Sequence, residues 1–283
     1  MSTNVSLLDD NTDITVIQAG KAEKNYWFDL VKYRELFYFL AWRDILVRYK
    51  QTVVGILWCI IRPVLTMVVF TVIFGHIAKL PSGGAPYPLL VYAGMLPWQF
   101  FSACLQDSSN SLTGNANLIS KVYFPRIIVP ASSIIVNLFD FFISFAILAL
   151  MMIYYQFNPG WKILALPVFI LLAIMASLGL GLWFTALNVK YRDFRYIIPF
   201  LVQFGLYVSP VWFNSSVVPE QWRLLYSFNP MVCVIDGFRW AILGHNLNLD
   251  IRGFGVSFIL LIFLFYSGIA YFRKTEKTFA DII

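Results

Sequence analysis

Six stretches of the chain, residues 57–77, 88–105, 127–155, 163–189, 197–218 and 254–272, are almost free of charge and close to a bilayer's width in length. A hydrocarbon core about 30 Å thick takes roughly 20 helical residues to cross. Inside it every backbone N–H and C=O must be satisfied within the protein, which leaves helices as the economical solution. These runs predict an all-α integral membrane protein with six transmembrane helices. Composition agrees: 59% of the 283 residues are hydrophobic and 13% charged, against about 45–50% and about 25% in soluble domains. A soluble globule needs a polar skin that this chain lacks. A disordered chain, a disulfide-stapled secreted module and an ordinary cytosolic enzyme are excluded.

The flanks of the apolar runs set the organisation. Residues 1–26 are polar, with Asp9, Asp10 and Asp13, and lack a basic start followed by an apolar core. They read as a flexible cytoplasmic tail, not a cleaved signal. Over residues 27–50, Trp27, Leu30, Val31, Phe37, Tyr38, Leu40, Ala41 and Ile45 recur at roughly helical spacing among charged residues that include Lys32, Arg34, Glu35, Arg43, Asp44, Arg48 and Lys50. That predicts an amphipathic helix too charged to span, lying in the membrane interface. Residues 51–283 then form one transmembrane domain. With both termini cytoplasmic, 16 of the 21 Lys and Arg residues fall on the cytoplasmic side and 5 outside, as the positive-inside rule requires. The net charge of +6 is therefore read as contact with membrane lipids, not with nucleic acid.

Residues 219–244 are too long for a plain loop and too broken for a span. Pro219 starts a short helix through Tyr226, Asn229 caps a second with Pro230 at its first position, and Gly244 ends it. These pieces predict re-entrant helices at the external face, between spans five and six. Ala173, Ser177, Gly181 and Thr185 repeat every fourth residue on one helix face, which serves tight packing within the bundle or a dimer seam. Cys59, Cys104 and Cys233 form no CxxC pattern and read as small buried side chains. Asp140, with Asp107, is the intramembrane acid that stands out; it lines a polar path, pairs with a basic residue of another helix, or serves packing.

No catalytic or cofactor motif is present: no GxxxxGK[ST], no HExxH, no GxSxG and no metal-spaced cluster, and His76 and His245 lie far apart. The chain is not read as an enzyme and carries no cofactor of its own. Aromatic residues make up 18% of it. Many sit at span ends, as an interfacial belt predicts. Others lie mid-span or in the broken external helices, where flat rings offer a sliding surface for the C–H faces of sugars.

The order of parts resembles a known family. The interface helix leads into Arg43-Asp-Ile-x-x-Arg-Tyr-Lys-Gln-Thr-x-x-Gly-x-x-Trp58 and Arg62-Pro63. Then follow Asn117-Leu-Ile-x-Lys-Val-Tyr-Phe-Pro-Arg126, Asn188-Val-x-Tyr-Arg-Asp-Phe194, Ser209-Pro-Val211 and Asn229-Pro-Met231. Together these are similar to the permease subunits of ABC exporters for lipid-linked polysaccharides: O-antigen, capsule and teichoic acid. The resemblance covers about residues 27–283. It implies a homodimeric permease in the bacterial cytoplasmic membrane, working with two copies of a separate ATPase that carries the ATP and Mg. It implies a cytoplasmic gate helix at 27–50, where Arg43, Arg48 and Lys50 meet a lipid pyrophosphate head group or ordinary anionic lipid. It implies a coupling helix at 114–123, with Asn115, Asn117, Leu118, Ile119 and Lys121 toward the ATPase and Arg192 as a second contact. It also implies external gate helices at 219–244. Tyr92, Trp98, Phe101, Tyr207, Trp212, Trp222 and Trp240 are the candidates for channel lining or the external gate. The competing readings are a permease for another lipid-linked or small amphiphilic substrate, a membrane-embedded sugar-lipid transferase, and an ion-coupled carrier.

Overall fold

The computed structural model describes residues 26–50, 53–244 and 250–279, and within them every regular element is a helix. The expected tail at 1–26 lies outside the described residues except for Tyr26. Tyr26 belongs to the fold: it opens α1 (Tyr26–Lys32), is buried, and donates its hydroxyl to Glu276 at 2.9 Å. The expected helix at 27–50 is α1 followed by α2 (Arg34–Lys50), joined at Tyr33. Backbone bonds from Tyr33 to Asp29 and from Phe37 to Tyr33 carry the helical path across the join.

The long helices are α3 (Val53–Phe70), α4 (Tyr87–Gly114), α6 (Ile128–Tyr154), α7 (Leu166–Lys190) and α11 (Ile251–Thr275), with the short α5 (Ala116–Lys121) between α4 and α6. α4, α6, α7 and α11 lie in stretches long and apolar enough to cross a membrane, and α3 supplies the first part of a fifth, Ile60–Ile77, which its π-helical continuation Thr71–Ile77 completes. Pro63 removes one N–H from α3, and the Thr66 hydroxyl bonds the Arg62 carbonyl at 2.8 Å.

The expected fifth span, 197–218, is instead α8 (Phe194–Val208), an apolar helix of 15 residues. It covers roughly 22 Å at 1.5 Å per residue. Pro210 sets its end. The residue before a proline is driven from helical to extended backbone, and Ser209 has φ −93° and ψ 152°. After α8 the chain continues through α9 (Glu220–Tyr226) and α10 (Pro230–Leu243).

The core sits around α4. Buried residues make up 78% of an apolar 18-residue window of α4, against 11% for the stretch at 60–77, so α4 is the central helix and α3 a peripheral one. α7 lies between α4 and α11, and α6 covers another side of α4. The face of Ala173, Ser177, Gly181 and Thr185 turns onto α4 and is buried. Thr185 Oγ1 donates to the Ser108 carbonyl at 2.8 Å, and Ser108 sits against Gly181. Packing within the chain therefore uses this face. Cys104 and Cys233 are buried free thiols; the side chain of Cys59 lies outside the described residues.

α10 is apolar on nearly all sides and is buried accordingly. It enters between α4, α7 and α11 at the end of the bundle holding Tyr87 and Ile251. Its caps follow the sequence: the Asn229 side chain accepts from Met231 N at 3.0 Å, Pro230 is the first residue, and Gly244 closes the helix at φ +63°. α9 stays on the surface with Trp222, Leu224 and Leu225 exposed.

Candidate functional site

Three groups of functional candidates emerge, two at the α5 end of the bundle and one running in from the α9–α10 end.

The first is the α4–α5 junction. Asn115 ends α4 and begins α5; its amide nitrogen donates to the Ser111 carbonyl at 2.8 Å. Its side-chain oxygen accepts from Arg43 of α2 at 3.1 Å. Asn117 and Lys121 are exposed, Leu118 is half-buried, and Ile119 is buried beside Leu40, Leu112 and Phe124. Ile119 thus anchors α5 to the bundle, and Asn117 and Lys121 form its outward face. Arg192 is exposed on a separate link at the same end. Asn188 ties that link to α4, donating to the Ser109 carbonyl at 2.8 Å.

The second group surrounds Arg48. Its guanidinium reaches Asp140 of α6 at 2.6 Å, Asp107 of α4 at 2.9 Å and Asn137 at 3.1 Å. Asn137 also donates to Asp107 at 2.9 Å, and the Tyr49 hydroxyl donates to Asp140. Asp140 and Asp107 therefore pair with a basic residue of another helix. Arg48 faces two carboxylates, whereas Lys50 is exposed and Arg43 divides its guanidinium between Asp44 and Asn115. The sequence reading singled out Arg48, Asp107 and Asp140 separately and missed Asn137 and Tyr49. A polar residue three positions before Asp140, on the same helix face, was the available signal.

The third group is aromatic. A cavity of about 590 Å³ lies between α4, α7, α8, α9 and the start of α10, with Trp98, Phe101, Phe184, Phe204, Trp222 and Phe228 on its walls. Three of the aromatic candidates, Trp98, Phe101 and Trp222, meet there. Gly205 of α8 leaves room for the Trp98 ring, which a Cβ at that position would strike at 2.7 Å. Tyr207 is exposed on α8. The other three sit elsewhere. Tyr92 is buried in the core and donates to the Ser144 carbonyl at 3.2 Å. Trp212 is buried and stacked on Phe70, ring centroids 3.5 Å apart. Trp240 is half-buried under Lys162, whose nitrogen lies 4.8 Å from the ring centroid.

Beyond this cavity, Arg239 of α10 is 1% exposed and donates to the carbonyls of Leu90 at 3.1 Å, Val211 at 2.6 Å and Phe213. It joins α4, the extended stretch after α8, and α10. Burial draws the Arg239 guanidinium below its usual range and pushes the nearby Asp236 carboxyl above its own, each opposed by the other's charge. From sequence Arg239 counts among the five basic residues on the external side; its position inside an apolar helix was the cue that it is buried. Among the described residues no three His, Cys, Asp or Glu side chains converge as a metal site requires.

Comparison with known proteins gives this geometry a context. The family model described as ABC-2 type transporter matches residues 35–243. The O-antigen export system permease protein RfbA of Myxococcus xanthus is 26% identical over 90% of this chain and 98% of its own length. The protein of the same name from Klebsiella pneumoniae is 26% identical over 85% of this chain and 92% of its own. The polysialic acid transport protein KpsM of Escherichia coli is 25% identical over 83% and 91%.

Proposed function

The chain belongs to the ABC-2 type transporter family, and on that premise we propose that it is the channel-forming permease of an ATP-driven exporter of lipid-linked, O-antigen-type polysaccharide. The single observation that carries the substrate is that relatives aligned along most of the chain are named for O-antigen export and polysialic acid transport. The cavity walled by Trp98, Phe101 and Trp222 supports it, because aromatic faces hold sugar C–H surfaces without fixing one register.

In this reading two copies of the chain assemble with two copies of a separate ATPase, which carries the ATP and Mg. Both termini and the α5 end face the cytoplasm, in the bacterial inner membrane. The basic residues gathered there by sequence support that orientation. α8, with the extended stretch after it, completes a sixth crossing. α1 and α2 form the gate helix at the cytoplasmic interface. Their exposed Tyr38, Trp42 and Leu46, four residues apart on one face of α2, suit the head-group layer. Lys50 and Arg43 meet the lipid pyrophosphate. α9 and α10 form the external gate, and the outward face of α5, with Arg192, receives the ATPase.

The test uses exposed α5 residues, whose replacement leaves the core alone. Asn117→Arg combined with Lys121→Glu is expected to abolish polymer export and ATPase co-purification while membrane insertion stays normal. Normal export from that variant would remove α5 from the coupling role.

A further inference from the structure

We propose that Arg48 is a positioning residue that latches α2 to the transport core. It rests on the reading of α5 as the element that receives the ATPase.

The latch is built from three helices. Among the described residues, Arg48 is the cation that pairs with both Asp107 of α4 and Asp140 of α6, with Asn137 bridging Asp107 and Arg48. A guanidinium presents several N–H donors in a fixed plane, so it reaches two carboxylates and an amide at once, which a lysine ammonium does with less directional order. One turn and a residue earlier on α2, Arg43 bonds Asn115, the residue that ends α4 and begins α5. α2 is thus fastened at two levels: at the α4–α5 junction, and deeper along α4 and α6. Ile119 and Leu40 sit in one apolar cluster at the same end, so α5 and α2 also share packing. A force that displaces α5 therefore moves α2 without needing a separate path through the bundle. The Arg48 set carries one positive and two negative charges and is poorly suited to attract a pyrophosphate. That separates its task from the one given to Lys50.

Removing Arg48 alone leaves two carboxylates facing each other, which endangers folding. The decisive variant is therefore the triple Arg48→Met, Asp107→Asn, Asp140→Asn, which removes the charges together. It is studied in the full complex with its ATPase, in proteoliposomes, beside Arg48→Lys. Spin labels on α2 at Tyr38 and on α6 at Ile153, both exposed, report the position of α2. The triple variant is expected to insert and bind the ATPase normally and to hydrolyse ATP within about twofold of the parent. Its polymer export should fall at least tenfold, and the label distance should broaden and stop responding to nucleotide. Arg48→Lys should recover part of the export and of the nucleotide response. Normal export from the triple variant, or a retained nucleotide-dependent distance change, would overturn the latch. The α5 variant separates the two ideas: it loses the ATPase itself, whereas the latch variant keeps the ATPase and loses the movement of α2.

Discussion

Gly268 of α11 packs its backbone against Gly179 of α7, and a Cβ there would collide with the Gly179 carbonyl oxygen. A Cβ on Gly179 would in turn lie 2.7 Å from Phe265 Cα, so the two helices touch backbone to backbone. Gly268→Ala is therefore expected to lower the melting temperature of the detergent-purified protein. Gly255→Ala on the same helix meets nothing within 4 Å; it should raise stability by roughly 0.5–1 kcal/mol through the helix preference for alanine. Equal melting temperatures for the two variants would contradict the close crossing. Arg239→Met removes the shared donor of three carbonyls and should cost on the order of 3–5 kcal/mol, seen as loss of folded protein in the membrane. The sequence made some of these residues readable and others not. Ala173, Ser177, Gly181 and Thr185 were visible because they repeat along one helix. Gly179 and Gly268 meet only when two helices distant in sequence pack, and no local pattern records that.

Helices with local end signals were legible to within a residue or two. Asn229, Pro230 and Gly244 bounded α10 because capping is chemistry within one turn. Asn229→Ala loses both the bond from Met231 N and its own donation to Ser209 Oγ at 2.8 Å. It should cost about 1 kcal/mol, about 2–4 °C of melting temperature; Asn229→Asp, which keeps the cap, should lose less. Length alone misjudged α8. The apolar run continues to residue 218, but Pro210 ends the helix and hands the following carbonyls to Arg239, a partner on another element. The π-helical stretch Thr71–Ile77 was hidden for a related reason: its residues read as an ordinary continuation of the apolar run. The segment 27–50 is helical, as its spacing predicts. What it touches, from Asn115 to Asp140, depends on tertiary packing that period and composition do not encode.

Across the molecule, the described residues hold five helical stretches long and apolar enough to cross a membrane; α10 is buried against three of their helices, α4, α7 and α11, and the aromatic cavity lies beside its first turn. Fold class and family were carried by the apolar runs and the ordered motifs, and the family match over residues 35–243 agrees. In the proposed function polymer leaves the cytoplasm through this chain. The most direct measurement follows labelled lipid-linked polysaccharide in cells depleted of the chain and then supplied with either the parent or a Trp98→Leu, Phe101→Leu, Trp222→Leu variant. Depletion should trap polymer on the cytoplasmic side, the parent should restore surface polymer, and the variant should insert normally yet export at least several-fold less. Undiminished surface polymer in the depleted cells would rule out this chain as the exporter.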